Sequence, residues 1–160
     1  MPAELPNLVR LLLTQKSDRV TIARSVAEAI RNHGQFRWTG IYDVDMGRGL
    51  VSNVAWSGTG APEYPSFPLT KGLTSRAVAQ RRTVNVGDVA SDGNYLMAFA
   101  TTRSEIIVPV VNEGGRQVVG TIDVESELPN AFDVSTQITL EECAVVLRKF
   151  WERPLAGHPH

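Results

Sequence analysis

The sequence predicts an α+β fold in which a largely antiparallel sheet carries the N- and C-terminal helices on one face. Three observations predict it. Apolar residues recur at helical spacing near both ends of the chain, apolar and polar residues alternate in the segments between, and glycine-containing turns join neighbouring segments. Strands joined by short turns run antiparallel, and helices that flank such a run pack on one face of the sheet. Loops from the middle of the chain are then free to cover the other face.

Two amphipathic helices are predicted at the N-terminus. Residues 5–14 (LPNLVRLLLT) place their leucines and valine at helical spacing, and residues 17–34 repeat the pattern. Ser17 or Asp18 can cap the start of the second helix, because their side-chain oxygens accept hydrogen bonds from unpaired backbone N–H groups. Gly34 suits the end of that helix.

Strands and short elements follow the two helices. Residues 38–44 (WTGIYDV) and 50–56 (LVSNVAW) flank DMGRG, a connection typical of a hairpin, and the Gly/Pro-rich residues 57–66 are predicted to be irregular. Three short elements are predicted next: a strand at 66–69, a helix at 72–82 and a strand at 83–86.

A long loop and a second hairpin precede the last helix. Residues 90–103 (ASDGNYLMAFATTR) show no strong periodicity, and a loop of this length in a compact domain indicates a functional segment. A hairpin is predicted over 104–126. Asp133 or Ser135 can cap the last helix, which is predicted to end near Trp151.

The second strand of the last hairpin, VVGTIDVES, carries two acids among apolar neighbours. Because side chains alternate along a strand, its residues divide into two faces. The predicted core face holds Val118, Gly120, Ile122 and Val124. The opposite face holds Val119, Thr121, Asp123 and Glu125. Gly120 leaves room for a helix to approach closely.

The position of Glu105, on the first strand of this hairpin, depends on the turn. A two-residue Gly114-Gly115 loop sends Glu105 to the face opposite Asp123. A three-residue loop, with Gly115 in the left-handed conformation, pairs Glu105 with Asp123. Turn chemistry allows both. The three-residue loop leaves the first strand with an entirely apolar core face, so polarity favours a cluster of Glu105, Asp123 and Glu125.

Three neighbouring carboxylates repel one another unless a cation lies among them, and burial increases that cost. The cluster therefore indicates a pocket for an ammonium or a similar cationic group. The alternative is that Glu105 and Glu125, near strand ends, point into water or pair with Arg103 and Arg116.

Composition excludes several kinds of partner and chemistry. The chain has 160 residues, 42% of them hydrophobic, and 16 basic against 17 acidic residues give a net charge of −1. We therefore expect no nucleic-acid partner, no membrane span and a cytoplasmic location. The histidines lack neighbours resembling a metal set or a catalytic triad, and the hydroxyls lack a partner base. No catalytic residue, metal or cofactor is predicted.

The chain resembles GAF domains, a fold family of small-molecule sensors, over roughly residues 20–150. The motifs that carry the resemblance are the strand WTGIY, the segment FPLTKG, the strands SEIIVPV and VVGTIDVES, and the AFD that opens the last helix. Each motif is weak alone, and their order makes the resemblance specific. It implies a GAF-like fold with loops over a ligand pocket on the sheet face opposite the helices.

Among GAF proteins the chain is most similar to free methionine-(R)-sulfoxide reductases, single-domain enzymes that act on the free amino acid. Their substrate site has a Trp and a Tyr on an early strand, a Glu at the start of one late strand and two acids at the end of the next. The resemblance implies a ligand site formed by Trp38, Tyr42, Glu105, Asp123 and Glu125. Glu125 stands where that family usually has an aspartate. An aromatic wall with carboxylates suits a ligand that has an ammonium and an apolar side chain.

The catalytic cysteines of the reductases are missing. In that family they lie in the loop before FPLTKG, at the start of the next helix and in the long loop before SEI, where this chain has approximately Tyr64, Thr74 and Ala98. Sulfoxide reduction needs a thiolate nucleophile and normally a second thiol that resolves the intermediate. The single cysteine, Cys143, falls among apolar residues of the last helix and is expected to be a small buried hydrophobic residue.

These observations predict a single, stand-alone GAF domain over residues 1–153, followed by a mobile tail at 154–160. It is expected to bind or sense a small amine-bearing, amino-acid-like ligand without reducing sulfoxides. Tyr64 and Tyr95 are expected to reach the same cavity. Two alternatives stay open: a cysteine-independent enzyme that acts on an amino acid derivative, and a structural module whose cavity is filled by its own side chains.

The terminal helices offer a further expectation. GAF domains often pair through such helices, so a homodimer interface is expected there. The apolar residues available for it are Leu8, Leu12, Leu13, Val146, Phe150 and Trp151. The alternative is that both helices simply cover the sheet.

Overall fold

The computed structural model describes residues 4–70, 72–93 and 101–152. The helices in these ranges are α1 (Glu4–Leu12), α2 (Arg19–Gly34), α3 (Gly72–Gln80) and α4 (Val134–Glu152), with a 3₁₀ turn at Val89–Ser91. The strands are β1 (Trp38–Asp45), β2 (Leu50–Gly58), β3 (Ser66–Pro68), β4 (Val84–Val86), β5 (Ser104–Val111) and β6 (Val118–Ser126). Every predicted helix and strand is present, with ends within a few residues of the prediction. The tail predicted at 154–160 lies outside the described residues.

The six strands form one antiparallel sheet in the order β3-β2-β1-β6-β5-β4. Helices α1, α2 and α4 cover one face, where their apolar residues pack against alternate residues of β1, β5 and β6. Helix α3 and the segments around it lie on the other face. The predicted α+β layout is confirmed. None of the described helices is long and apolar enough to cross a membrane.

Aspartates cap two of the helices. The Asp18 carboxylate accepts a hydrogen bond from the Thr21 N–H at 2.7 Å, which begins α2, and Asp133 accepts one from Thr136 at 2.8 Å, which begins α4. The left-handed residue that ends α2 is Gln35, with φ 52°, and not Gly34. Gly34 serves packing instead, since a Cβ there would lie 2.1 Å from the ring of Phe36.

The turn between β5 and β6 differs from both predicted loops. The Asn112 N–H donates to the Gln117 carbonyl at 2.9 Å, which closes a four-residue turn with Gly115 in the left-handed conformation at φ 72°. With a four-residue turn alone, Asn112 would face Gln117 and, further along the hairpin, Glu105 would face Val124. Glu105 would then lie on the face opposite Asp123.

A β-bulge restores the face that the prediction assigned to Glu105. Val110 pairs with Gly120 but Val111 pairs with Val118, so Val119 has no partner on β5 and the register shifts by one. The prediction that Val118 shares the face of Gly120 is therefore wrong. Val118 packs on the α3 side of the sheet, and Val119 packs against the helix-covered core.

Asp43 ties two helices to β1 on the helix-covered face. The Arg19 guanidinium, at the start of α2, donates to both carboxylate oxygens of Asp43 at 2.7 and 3.0 Å, and the Trp151 indole N–H donates to Oδ1 at 2.8 Å. Trp151 is thereby held over Gly120, where a Cβ would lie 2.1 Å from its ring. The prediction that Gly120 admits a helix is confirmed.

Most of the residues considered for a homodimer interface are used within the chain. Leu12, Leu13, Val146 and Trp151 pack against the core and Phe150 is buried, whereas Leu8 is 43% exposed. Covering the sheet thus accounts for these helices, and the homodimer stays a prediction.

Replacement of Gly120 by Ala should lower the free energy of unfolding by about 1–3 kcal/mol, because overpacking forces the surroundings to shift. The added methyl group would meet both the Trp151 ring and the Tyr42 backbone carbonyl, at 2.1 and 2.6 Å. Gly114→Ala is the matched control, since a Cβ at Gly114 has a nearest neighbour at 3.9 Å. Urea denaturation measures both variants, and equal stabilities would contradict the packing argument.

Candidate functional site

Three acidic side chains meet on the face of the sheet opposite α1, α2 and α4. Glu105 on β5 pairs directly with Glu125 on β6, and Asp123 lies two residues earlier on the same face of β6. Glu105, Asp123 and Glu125 are only 5%, 7% and 1% exposed. One carboxylate oxygen from each lies within 4.8 Å of those from the others. The predicted cluster of three acids is therefore formed. Its burial excludes the alternative in which Glu105 and Glu125 point into water.

Burial raises the pKa of all three acids. Loss of hydration is the main cause, and it brings the pKa of Asp123 to about 6 and that of Glu125 to about 8. The pKa of Glu105 rises well above its usual value through burial and through repulsion by the other two carboxylates. A side-chain hydrogen bond between Glu105 and Asp123 raises the pKa of Glu105 further and partly offsets the rise at Asp123. Around neutral pH the cluster therefore retains protons, and these protons reduce its negative charge as a bound cation would.

The described residues satisfy only part of the cluster's hydrogen-bonding capacity. The Thr102 hydroxyl donates to Glu125 Oε1 at 2.6 Å, and the Arg37 charge partly offsets the rise in the pKa of Glu125. Asp123 Oδ1 is buried and has no hydrogen-bond partner in the described part of the chain. A buried acceptor without a donor costs about 1–3 kcal/mol, so a donor that enters the site would stabilise the fold.

Tyr42 forms an aromatic wall beside the acids, and Trp38 supports it from behind. The Tyr42 ring centroid lies 6.3 Å from that of Trp38 and 5.9 Å from that of Phe67. Trp38 is fully buried, and its indole N–H donates to the Gly60 carbonyl at 2.9 Å. Gly40 lies between the two aromatic residues on β1, where a Cβ would be 2.3 Å from the Trp38 ring. The two rings can therefore meet only because residue 40 has no side chain.

A cavity of about 30 Å³ lies between the acids and the segment that leads into α3. It has room for one or two water molecules. Tyr42, Tyr64, Thr74 and the three acids are among the residues that line it. Tyr64 is 42% exposed, whereas Thr74 is buried.

Six of the seven predicted ligand residues lie in the described part of the chain, and five of them line the cavity. Trp38 does not line it, because its ring packs behind Tyr42. Tyr95 lies outside the described residues, as does Ala98. Tyr64 and Thr74, which stand where the reductases are expected to have cysteines, both face the cavity. The role of these residues in ligand binding stays a prediction.

Sequence reasoning missed two residues that shape the site, Phe67 and Thr102. Phe67 belongs to the FPLTKG segment, which indicates the fold by resemblance. The ring of Phe67 also packs on Tyr42. Thr102 comes shortly before β5, and nothing in the local sequence distinguishes its hydroxyl from those of Thr101 and Ser104.

Cys143 lies on the other side of the sheet from this cavity. Its side chain is fully buried in the core between α4 and the strands. Burial is the main cause that raises the pKa of its thiol to about 12, with a smaller effect from Glu142. The expectation that Cys143 is a small buried hydrophobic residue is confirmed, and a thiol in this state forms little thiolate.

The site can surround a compact cation. Three carboxylate oxygens within 4.8 Å of one another can accept hydrogen bonds from one ammonium group or coordinate a metal ion such as Ca²⁺ or Mg²⁺. An aromatic face beside them favours an organic cation over a bare metal ion, because the negative face of the ring attracts the charge and the ring also contacts apolar groups.

Comparison with known proteins identifies the family. The profile that describes the GAF domain matches residues 16–146 of the chain. The chain belongs to the GAF domain family. GAF domain-containing protein A of Dictyostelium discoideum is 28% identical over 127 residues, which cover 76% of this GAF domain and 74% of that protein.

Solved structures with a similar fold include free methionine-R-sulfoxide reductases. The enzyme from Neisseria meningitidis, in complex with its substrate, has a TM-score of 0.83 and 27% identity, and the match covers 93% of this chain and 87% of that one. The type II enzyme from Thermoplasma acidophilum has a TM-score of 0.74 and 26% identity, with coverage of 92% and 94%. The predicted likeness to these reductases is confirmed at the level of the fold.

The buried acids should make the ligand-free protein less stable as the pH rises. The folded state binds protons at Asp123 and Glu125 more tightly than the unfolded chain, so this stability is present below about pH 4 and is lost as the pH rises through about 6 and 8. We expect the free energy of unfolding, from urea denaturation, to fall by the order of a few kcal/mol between pH 5 and 8.

Glu125→Gln should flatten this pH dependence, because it removes one of the titrating groups. Glu113→Gln, an exposed change in the β5–β6 turn, is the control and should leave the slope as in the parent. A free energy of unfolding that rises from pH 5 to pH 8, or equal slopes in both variants, would contradict the raised pKa values of the buried acids.

Proposed function

We propose that this GAF domain binds a small ligand that carries a protonated amine, of the amino acid type, and that it does not reduce sulfoxides. The ammonium would lie among Glu105, Asp123 and Glu125, and the apolar part of the ligand would lie against Tyr42. Trp38 would act indirectly, by fixing the position of the Tyr42 ring.

The observation that carries this proposal is the unpartnered oxygen of Asp123 inside a buried cluster of three acids. The ion pairs of the described residues join Arg19 to Asp43, Arg37 to Glu127 and Arg76 to Asp92, so none of these ion pairs includes an acid of the cluster. An ammonium has three N–H donors, so it can supply the missing hydrogen bond and also replace the protons that burial keeps on the acids.

The cavity must enlarge before such a ligand fits, because about 30 Å³ is less than an amino acid occupies. Among the described lining residues, Tyr64 can move at low cost, since its side chain is already 42% exposed. We infer that Tyr64 turns outward when the ligand enters and then packs over its apolar part.

The likeness to free methionine-R-sulfoxide reductases supports the ligand class but not the reaction. The reductase from Neisseria meningitidis was solved with its substrate, and its fold superimposes on nearly the whole chain. In this chain Tyr64 and Thr74 face the cavity at positions where cysteines are expected in the reductases, and neither can form a thiolate.

Thermal unfolding with and without candidate ligands tests the proposal. The candidates are free methionine, both epimers of methionine sulfoxide, other amino acids and small amines. A ligand at about one hundred times its dissociation constant should stabilise the fold by about 2.7 kcal/mol. Asp123→Asn should abolish the shift because it removes the charge of the unpartnered carboxylate. Asp45→Asn, an exposed change at the end of β1, should retain it.

A module with a filled cavity is the second candidate, and the small volume of the cavity favours it. In that case no ligand changes the melting temperature of protein shown to be free of co-purified molecules. The same result would overturn the proposed binding function, so one experiment separates the two candidates.

The distance of Cys143 from the cavity gives a separate prediction. The parent protein should form no methionine from free methionine-R-sulfoxide with dithiothreitol as the reductant, and Cys143→Ala should show the same ligand-induced melting shift as the parent. Methionine formation that is lost in a folded Cys143→Ala variant would contradict this assignment.

A further inference from the structure

A larger recess lies at the edge of the sheet, between α4, β5 and the residues that link α3 to β4. Its volume is about 360 Å³, compared with about 30 Å³ for the cavity beside Glu105, Asp123 and Glu125, which we call the acid cavity. Small-molecule sites commonly occupy about 300–1,000 Å³, so this recess is of ligand size. We call it the arginine groove, and it is lined by Arg81, Arg82, Thr83, Pro109, Glu141 and Arg148, among others.

The shortness of β4 creates the groove. Within the described residues β4 pairs only with Glu105, Ile106 and Ile107 of β5, so β5 has no partner strand on that side from Val108 onward. Pro109 lies in this unpaired stretch, where its missing N–H leaves no hydrogen bond unmade. The opposite wall is one face of α4.

The α4 wall has a polar end that is held in place. Glu141 Oε2 accepts hydrogen bonds from the Thr83 hydroxyl at 2.5 Å and from the Gln137 amide at 3.2 Å. Gln137 in turn accepts one from Asn85 at 2.9 Å. No described residue donates to the second oxygen of Glu141, so that oxygen remains available as an acceptor.

The other end of the wall is cationic. Arg148 follows Glu141 by seven residues, which places it on the same face of α4 about 10.5 Å along the axis. Its Nε–H is buried without an acceptor, and neither Arg148 nor Arg82 forms an ion pair with any described residue. Arg81 is held by the carbonyls of Gly115 and Arg116, at 3.4 and 3.3 Å.

We propose that the arginine groove binds a small molecule that carries a phosphate monoester at one end and hydroxyl groups at the other. A phosphate monoester has a charge of about −1.5 to −2 at pH 7, which matches the two unpaired guanidinium groups of Arg82 and Arg148. Guanidinium groups bind phosphate oxygens through paired N–H donors. A hydroxyl group at the far end of the ligand donates to the available oxygen of Glu141.

Isothermal titration calorimetry at constant ionic strength tests this site with ribose 5-phosphate, inorganic phosphate and ribose. Ribose 5-phosphate should bind most tightly, inorganic phosphate more weakly and ribose not at all. Arg148→Gln and Arg82→Gln should each weaken the binding of ribose 5-phosphate by at least about tenfold, because each removes charge-assisted hydrogen bonds. Arg48→Gln, an equal change of charge in the β1–β2 turn, should have no effect.

Two results would overturn the proposal: no binding of ribose 5-phosphate at millimolar concentration, or equal affinities in the parent, Arg82→Gln and Arg148→Gln. Arg82 is exposed, so its variant should fold even if the half-buried Arg148 variant does not. Asp123→Asn should still bind ribose 5-phosphate.

Discussion

Both faces of the molecule depend on the alternation of side chains along β6. One face of this strand presents Gly120, Ile122 and Val124 to the helices, and the other presents Asp123 and Glu125 to the cavity. A shift of one residue would turn the acids toward α4 and the apolar residues toward the cavity, so the register is strongly constrained. The bulge at Val119 is the device that reconciles this register with a four-residue turn.

The same strand joins the stability of the domain to its proposed function. On the helix side, Trp151 packs on Gly120 and is fixed by Asp43, which also binds the start of α2. On the cavity side, three carboxylates are buried with an unpartnered oxygen and raised pKa values. A protein that only had to fold would gain stability from apolar residues at those positions. The helix-side packing offsets the cost of burying three acidic side chains.

The two recesses of this GAF domain have opposite chemistry. The acid cavity is small, buried and suited to a cation, whereas the arginine groove is larger, open and suited to a dianion. They lie beside the same strand: Glu105 and Ile107 of β5 face the acid cavity, and Pro109 lines the groove.

The sequence by itself determined the order and type of the elements and the division of β5 and β6 into apolar and acidic faces, because side-chain alternation and helical spacing are local properties. It also pointed to Tyr42 and the three acids through a family resemblance. Only the tertiary structure decided the turn and bulge that align Glu105 with Glu125, the position of Trp38 behind Tyr42, and the volume of the cavity. These depend on contacts between residues far apart in the chain. The arginine groove has the same origin, because Arg82 and Arg148 are 66 positions apart and line one recess only in the folded chain, where β4 begins too late to pair with Val108 and Pro109.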